Sequence, residues 1–439
     1  MKTVDRIAAE LEGYDAQALS AGNVNTFLSR LVEPVKDHEA VGIFQSLGRV
    51  LAQDVISPVS VPPHDNSAMD GYAFDGAQLA IAAATQSPLV LKVVGTALAG
   101  KAWPGRAGPG ECVKIMTGAV MPAGVDTVVP QEFVTLFAEP SSLTIGGASS
   151  QAPAIAIPAG LLQAGDNRRK LGEDLMAGQP ALRKGEQLTP AALGLLASLG
   201  MESIPVWRRL RVAYFSTGDE ILSLGQSPRE GAVYDSNRYT VFGLLSRLGC
   251  EVIDLGVVRD EPALLEAAFL RAADQADAII TSGGVSVGEA DYTKAMMKKL
   301  GDVAFWKIAM RPGRPMAVGR IGNSVLFGLP GNPVAVMVTF LAFVRPALLL
   351  MMGSRANAPP LLKAFSAEPL RKKPGRTEYQ RGCVSTAPDG SLQVKTTGCQ
   401  GSGVLSSMVK ANGLIVLHHA QGDVAAGDLV DVMMFDGVL

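Results

Sequence analysis

A glycine-rich segment at residues 281–291 is the strongest candidate for a site that does chemistry. Its sequence is TSGGVSVGEAD, and it lies between a strand-like apolar run and a helix-like run. Gly283 and Gly284 would allow backbone N–H groups to close on an anion, and a helix N-terminus adds positive potential. Ser286 adds a hydroxyl donor, and Asp291 could hold a metal ion or a ligand hydroxyl. A tight turn with an aspartate helix cap is the alternative, but the whole pattern favours an anion site.

Acidic side chains follow two other strand-like runs. Asp219 and Glu220 stand just past the run at 211–215, together with Thr217, and their carboxylate oxygens could bind a divalent cation. Asp219 alone could equally be a helix cap. Asp235 precedes a helix-like run, and Asp260 follows another strand-like run. For Asp235 and Asp260, a helix-capping role and a ligand role are equally open.

Arginines on a proline-stiffened loop supply candidate anion-binding groups. The sequence RPGRP places Arg311, Pro312 and Arg314 together, and a rigid loop lowers the entropy cost of holding the two guanidinium forks. A solvated basic turn is the alternative.

Three more segments could bind anions or be purely structural. Pro330 lies in the sequence LPGNP, whose turn amides could cap an anion at the start of an apolar helix. Arg376, Arg381 and Ser402 could form a second anion pocket, or lie on a solvated strand face and a hairpin turn.

A polar loop at residues 62–73 contains Asp65 and Asp70, which could coordinate a cation or a substrate amine. An Asx-rich turn explains the loop equally simply. Thr117 and Asp174 lie in short polar segments that carry little information alone.

Composition bounds the function. The 439 residues carry 39 basic and 41 acidic side chains, a net charge of −2. That balance argues against a general nucleic-acid binder, which needs a basic surface, but it allows a local basic pocket for a small anion.

Four scattered cysteines and four histidines argue against zinc, redox and histidine-triad sites. They are typical of reduced thiols in a cytosolic protein, and the first residues lead into no apolar signal core. The apolar stretch at 334–352 contains Arg345 and Pro346, which favours a buried helix over a membrane span.

The order of elements predicts how these residues are positioned. Residues 205–355 alternate strand-like and helix-like runs, which predicts a three-layer α/β/α domain that binds ligands at the carboxyl ends of its strands. Residues 61–162 predict an inserted β-rich domain, and residues 24–60 with 163–204 a helical linking domain around it. Residues 356–439 predict a β-barrel-like domain, and residues 1–23 an N-terminal extension.

Together these segments resemble the molybdopterin molybdenumtransferase family of the MoeA type, which includes the E domain of gephyrin. Seven segments carry the resemblance and occur in the family's order, at 65–73, 116–119, 172–174, 216–220, 283–286, 312–315 and 330–333. The resemblance implies a molybdopterin-binding α/β/α domain within a four-domain, homodimeric, cytoplasmic enzyme. It also implies insertion of molybdate into the dithiolene of adenylylated molybdopterin with release of AMP.

The resemblance implies Mg²⁺ or a similar cation and an adenylyltransferase partner that supplies the substrate. The charge balance and the interrupted apolar stretch predict neither nucleic acid nor membrane as a partner. It implies catalytic roles for Asp65, Glu220, Asp260 and Asp291, with Glu220 and Asp291 as metal ligands. The candidate substrate-binding positions, from the residues themselves or from the resemblance, are Thr117, Asp174, Thr217, Asp235, Gly283, Gly284, Ser286, Lys307, Arg311, Pro312, Arg314, Pro330, Arg376, Arg381 and Ser402.

The chain departs from the family's pattern at three positions. Arg311 and Arg314 stand where lysine is frequent, and Ala335 stands where serine is common. Three alternative functions stay open: a tungstate-handling paralogue, a non-enzymatic molybdopterin-binding scaffold, and a nucleotide hydrolase on a related fold. Nucleotide turnover without molybdate would identify the hydrolase.

Overall fold

The computed structural model describes residues 3–138, 153–285, 292–355 and 358–435. The chain divides into two compact units. The large unit comprises Met1–Gln53, Lys184–Leu193 and Ser203–Leu439, and the small unit comprises Asp54–Arg183 and Gly194–Glu202. The finer division into four domains remains a prediction.

A six-stranded sheet is the centre of the large unit. Its strands lie in the order Glu251–Val258, Arg211–Thr217, Ala278–Ser282, Ser324–Leu329, Pro315–Ile321 and Gly301–Lys307. The first four strands run parallel, and the last two pair antiparallel. All four parallel strands therefore end at the same edge of the sheet, where ligands of such sheets bind.

Alternating side chains of the strand Arg211–Thr217 enter two separate cores, as expected for a sheet covered on both faces. Val212 and Tyr214 belong to one buried cluster, with the helix Ser236–Arg247 and the apolar run at 334–352. Ala213 and Phe215 belong to the other, with the helices Pro262–Gln275 and Tyr292–Leu300. The predicted three-layer α/β/α arrangement is confirmed.

The helical run that begins at Pro333 supplies much of the first core. It consists of Pro333–Thr339, a π-helical turn at Phe340–Val344 and Arg345–Met351. By length and composition this run could cross a membrane, but most of it is buried in the fold.

The N-terminal part of the large unit contains the helices Val4–Ala9 and Ala21–Leu31. The strand His38–Gly42 pairs antiparallel with Ser203–Trp207. A 3-10 turn at Ile43–Gln45 follows, although the apolar spacing there is helix-like.

A second sheet lies near the C-terminus and closes into a five-stranded barrel. Its strands are Leu362–Ser366, Thr377–Thr386, Leu392–Thr396, Gly413–Leu417 and Leu429–Met434. Closure comes from the pairing of Thr377–Thr386 with Gly413–Leu417. The short strand Met310–Arg311 joins this sheet, pairing with Thr377 and Glu378. The helix Ser406–Lys410 connects two of its strands.

The small unit is built on a curled six-stranded sheet. Its order is Thr127–Pro130, Gly71–Phe74, Glu111–Ile115, Leu89–Ala97, Pro153–Ile157 and Thr135–Ala138. Short helical segments lie at Gly76–Gln78, Leu79–Thr85 and Gln131–Phe133. This β-rich sheet agrees with the sequence prediction.

The linking segment differs from its predicted helical form. Within 163–204 the structure has the helix Pro190–Ser198, and the segment before it forms turns and two short strands. Arg168–Arg169 pairs with Asn66–Ser67, and Pro180–Leu182 pairs with Val55–Ile56. Glycines with positive φ at positions 165, 172, 178 and 185 explain why no helix forms there.

A partly buried ion pair ties together the starting ends of the central strands. Asp277 accepts two bonds of 2.7 Å from the Arg208 guanidinium and one of 2.8 Å from the Arg211 N–H. Burial alone would raise the pKa of Asp277, but these donors outweigh it and hold that pKa below its usual value.

We expect Asp277→Asn to lower the free energy of unfolding by about 2–3 kcal/mol at pH 7. Because the folded-state pKa is lowered, this contribution is present above about pH 4 and is lost as the pH falls through the folded pKa. Urea unfolding at a series of pH values measures both effects. The exposed Asp274→Asn is the control, and a deficit that does not change with pH would contradict the assignment.

Candidate functional site

A cleft of about 750 Å³ opens where the parallel strands of the large unit end. Six separate segments meet there: Glu220, the glycine loop at 283–285, the arginine loop at 310–315, the start of the Pro333 helix at 330–335, Arg376 and a C-terminal loop at 400–402. The residues that line it are Glu220, Gly283, Gly284, Val285, Met310, Arg311, Pro312, Gly313, Arg314, Pro315, Pro330, Gly331, Asn332, Ala335, Arg376, Gln400, Gly401 and Ser402. Nine predicted site residues thus lie together.

The arginine loop packs against the Pro333 helix and is closed by a backbone hydrogen bond. Gly313 has a φ of +90°, and a Cβ built on it would lie 2.4 Å from the Thr339 Oγ1, so no larger residue fits without movement. The Ile308 N–H donates to the Arg314 carbonyl at 2.7 Å and closes the loop. Arg311 and Arg314 are exposed cations on this fixed backbone.

Gly283 and Gly284 are required by their backbone geometry. Both have positive φ, and a Cβ would lie 2.4 Å from the Thr217 carbonyl oxygen at Gly283 and 2.5 Å from the Thr293 side chain at Gly284. The glycine loop therefore packs directly on its neighbours, with its backbone toward the cleft. This is the close approach that an anion-binding loop needs.

A buried network of hydroxyl groups supports this loop from below. The Tyr214 hydroxyl lies 2.6 Å from the Ser282 Oγ and 2.9 Å from the Ser216 Oγ, and all three residues are buried. Burial raises the pKa of Tyr214 far above its usual value, so the phenol keeps its proton and can donate.

Arg376 is oriented by an acidic neighbour. Its Nε and Nη2 lie 2.8 and 2.7 Å from the Glu378 Oε1, and the Glu378 side chain is buried. Charge-assisted bonds of this kind fix the plane of a guanidinium, which leaves its other N–H groups available to a ligand.

Arg381 lies behind the cleft wall rather than in its lining. It is 1% exposed, and its guanidinium donates to the Ser407 Oγ and to the carbonyls of Cys399 and Gly401, at 2.9 to 3.3 Å. Burial lowers the pKa of this arginine. Its visible role is to hold the loop that carries Ser402, and substrate contact by Arg381 stays a prediction.

A second chamber of about 500 Å³ adjoins the cleft and shares Glu220, Gly283, Gly331 and Asn332 with it. Thr217, Asp235 and Asn237 line the second chamber as well.

Two buried oxygen atoms of residues that line the second chamber accept no hydrogen bond from the described residues. The Asp235 Oδ1 caps a helix by accepting from the Arg238 N–H at 3.0 Å, and the Asn237 amide donates to the Gly331 carbonyl at 2.7 Å. Among the described residues, Asp235 Oδ2 and Asn237 Oδ1 have no hydrogen-bond partner. The chamber therefore offers two acceptors to a ligand with N–H or O–H groups.

The predicted acids are only partly gathered. Asp260 lies outside both linings, with its N–H 3.4 Å from the Asp219 Oδ1 and its Oδ1 3.3 Å from the Thr293 hydroxyl. Ser286 and Asp291 lie outside the described residues. Within the described ranges, no three His, Cys, Asp or Glu side chains form a metal-binding cluster.

Lys307 ends the edge strand and is exposed, and it is not among the residues that line the cleft. Its backbone is held by the N-terminal segment, through bonds with Ala16 and Leu19.

In the small unit, the segments that carry Asp65, Thr117 and Asp174 are bonded to one another. The Asp65 Oδ1 accepts from the Leu171 N–H at 2.8 Å. Asp70 accepts from the backbone and hydroxyl of Thr117, both at 2.7 Å, and these bonds lower the pKa of Asp70. The Asp174 N–H donates to the carbonyl of Val61, the residue before the polar loop, at 3.1 Å.

The sequence marks some of the remaining site residues and not others. Gln400 lines the cleft because distant segments pack together, and no sequence pattern marks it. Asn237 and Glu378 do stand in polar segments that the sequence shows, beside Asp235 and Arg376. Asn332 was visible within the LPGNP sequence as part of a turn.

Comparisons with known proteins agree with this architecture. Residues 16–200 match the family described as the MoeA N-terminal region (domain I and II). Residues 213–349 match a probable molybdopterin binding domain, and residues 363–435 match the MoeA C-terminal region (domain IV).

Individual relatives match over almost the whole chain. A molybdopterin molybdenumtransferase of Haemophilus influenzae is 43% identical over 406 residues, 91% of this chain and 95% of that protein. One of Synechococcus elongatus is 36% identical over 400 residues, 90% of this chain and 94% of that protein. A crystal structure of the molybdopterin biosynthesis moeA protein from Pyrococcus horikoshii OT3 matches with a TM-score of 0.78 at 24% identity, covering 95% of this chain and all of that one, and shows the same fold.

We expect Arg381→Leu to destabilise the protein by about 3 kcal/mol, because the buried carbonyls of Cys399 and Gly401 would lose their donors. Urea unfolding measures the change. Arg371→Leu, at an exposed position of the same domain, is the control. Equal stability of Arg381→Leu and the unmodified protein would contradict the role given to Arg381.

Proposed function

The chain belongs to the MoeA family of molybdopterin molybdenumtransferases of molybdenum cofactor biosynthesis, and we propose that it inserts molybdate into the dithiolene of adenylylated molybdopterin with release of AMP. The observation that supports this most directly is the convergence of Arg311, Arg314 and Arg376 on a cleft that also contains a glycine loop. An oxyanion and a phosphate-bearing substrate both require such donors.

Molybdate is assigned to the arginine side of the cleft. A guanidinium donates through a planar fork, keeps its charge at all physiological pH values and binds oxyanions in pairs of hydrogen bonds. Arg311 and Arg314 come from one loop, and Arg376 comes from the C-terminal sheet, so a tetrahedral anion would meet donors from more than one direction. Ser402 adds a hydroxyl donor on the same side.

The phosphates are assigned to the glycine side. Gly284 would present a backbone N–H group, whereas the Gly283 N–H already donates to the Leu329 carbonyl at 3.2 Å and shapes the loop. Pro330 and Gly331 lie at the start of a helix whose N-terminal end favours negative charge. Thr217 and Ser286 are proposed as hydroxyl contacts, with Pro312 shaping the wall between the two sides.

A divalent cation such as Mg²⁺ fits the acid that both chambers share. Glu220 offers carboxylate oxygens, which are the ligands that Mg²⁺ prefers. Asp291 is proposed as the second ligand. Asp260 follows the strand Glu251–Val258, which ends at the same edge of the sheet. A bound cation would neutralise phosphate charge and stabilise the leaving AMP.

The chemistry needs no nucleophilic side chain from the protein. The dithiolene sulfurs bond to molybdenum as oxide ligands leave as water, and water adds to the phosphorus as the bond to AMP breaks. Holding the two substrates together is the main contribution of the cleft. This agrees with a site built from cations, glycines and acids.

The second chamber is proposed to hold the pterin. Its two acceptors without donors, Asp235 Oδ2 and Asn237 Oδ1, suit the adjacent ring N–H and amino groups of a pterin. The chamber also adjoins the glycine loop, so a phosphate on the pterin side chain would reach Gly283.

Further proposals rest on the resemblance. They are a homodimer, an adenylyltransferase that supplies the substrate, and site roles for Asp65, Thr117, Asp174 and Lys307. A cytoplasmic location is proposed from the scattered cysteines as well. Gel filtration with light scattering tests the dimer.

The proposed function is tested by incubating the purified protein with adenylylated molybdopterin, Mg²⁺ and molybdate. We expect AMP release that depends on molybdate and yields active cofactor.

We expect Arg311→Ala to raise the KM for molybdate by about tenfold or more, because a charged donor is lost. The exposed Arg247→Ala is the control and should have the same KM as the unmodified protein. AMP release at the same rate with and without molybdate would refute the proposed function.

We expect Asp235→Asn to raise the KM for adenylylated molybdopterin by about tenfold, while the KM for molybdate stays the same. Asparagine caps a helix as well as aspartate does, so stability should change little. Steady-state kinetics with each substrate varied in turn measure the split, and Asp274→Asn is the matched control. An unchanged KM for adenylylated molybdopterin would remove Asp235 from the pterin site.

A further inference from the structure

The N-terminal segment at residues 3–19 is packed along the edge of the central sheet. Val4, Ile7 and Leu11 are buried in the first core, and the Val4 N–H donates to the Asp302 Oδ2 at 2.8 Å. The Trp306 Nε1 donates to the Tyr14 hydroxyl at 3.0 Å. The segment therefore covers the edge strand Gly301–Lys307, which would otherwise expose unpaired backbone groups.

The end of this segment bonds directly to the backbone that leads into the arginine loop. The Lys307 N–H donates to the Ala16 carbonyl at 2.8 Å, and the Leu19 N–H donates to the Lys307 carbonyl at 3.2 Å. The Ala309 N–H then donates to the Leu19 carbonyl at 2.8 Å. Leu19 is fully buried, so its side chain anchors this row of bonds in the core.

Ala309 is bonded on both sides. Its N–H reaches Leu19, and its carbonyl accepts from the Thr377 N–H at 2.9 Å. Thr377 directly follows Arg376 in the chain. Arg311 lies two residues after Ala309, and its backbone is in register with that of Glu378 in the strand pairing. Three backbone rows thus lie side by side, and the outer two carry the N-terminal segment and Arg376.

We propose that residues 14–19, anchored by the helix Val4–Ala9, act as a positioning strap that sets the spacing of Arg311 and Arg314 relative to Arg376. The strap makes no contact with the anion itself. It acts by fixing the backbone at 307–309, so it governs how tightly the arginine side of the cleft holds an oxyanion. The identity of that oxyanion as molybdate rests on the proposed function.

The competing explanation is that the segment only covers an edge strand and contributes stability. The two explanations predict different measurements. A covering role lowers the stability of the fold and leaves the affinity for an oxyanion unchanged. A positioning role weakens oxyanion binding at temperatures where every variant is folded.

The test uses the full chain and three variants. Deletion of residues 2–12 removes the anchor, and Tyr14→Phe removes the hydroxyl that accepts from Trp306 while keeping the ring. Phe269→Leu is the control, because Phe269 is buried in the core on the opposite face of the sheet. Calorimetric titration with molybdate gives the dissociation constant, and hydrogen exchange reports on the backbone at 305–316 and 374–382.

We expect the deletion to raise the molybdate dissociation constant and the molybdate KM by about tenfold, and Tyr14→Phe to raise them by a smaller factor. The KM for adenylylated molybdopterin should stay within about twofold, and exchange should accelerate at 305–316 and 374–382. Phe269→Leu should lower the melting temperature without changing the dissociation constant.

Two results would overturn the proposal. One is a molybdate dissociation constant in both strap variants equal to that of the unmodified protein, and the other is no molybdate binding by the unmodified protein. If the unmodified protein binds molybdate but releases no AMP in response to it, the proposed function fails. The strap is then still judged by the dissociation constants.

Discussion

The site depends on holding several arginines close together while leaving them able to bind an anion. Like charges repel, so a cluster of this kind costs free energy, and burial adds to that cost at Arg381. Glu378 offsets part of that cost at Arg376, and carbonyl groups satisfy the guanidinium of Arg381. The charge of Arg311 acts with burial to lower the pKa of Arg381. An anion relieves this repulsion when it binds, so the preference for negative charge follows from the fold.

The positions of these arginines are set mainly by the backbone segments that carry them. Gly313 packs against Thr339 where a side chain would collide, and the strand Met310–Arg311 pairs with Thr377 and Glu378 of the C-terminal sheet. Ser402 is bonded to the start of the Pro333 helix by its carbonyl, which accepts from the Val334 N–H. Because the backbone beneath each donor is already fixed, ordering the donor side chains around a ligand costs less conformational entropy.

Sequence reasoning succeeded where a local pattern was sufficient. Alternating strands and helices predicted the three-layer domain, and Gly283, Gly284, Arg311 and Arg314 were recognisable from glycine and proline spacing. Helical spacing at 163–204 was misleading, because four glycines with positive φ interrupt it before Pro190.

Long-range packing accounts for most of what the sequence could not predict. Asn237 and Gln400 enter the chambers only because segments far apart in the chain pack together. Whether an arginine such as Arg381 is buried or exposed to a ligand is likewise decided by tertiary packing, and no spacing rule distinguishes the two.

The departures at 311, 314 and 335 are physically related. Ala335 lines the cleft and has no hydroxyl to offer, so a neutral donor is missing on that wall. The Asn332 amide donates to the Ser402 Oγ at 3.0 Å, which leaves the Ser402 proton able to point into the cleft. Arginine supplies further directed N–H groups where an ammonium would supply a point charge. The arginine side of the cleft therefore presents planar forks and a C-terminal hydroxyl, which makes its geometry depend on the register between the arginine loop and the C-terminal sheet.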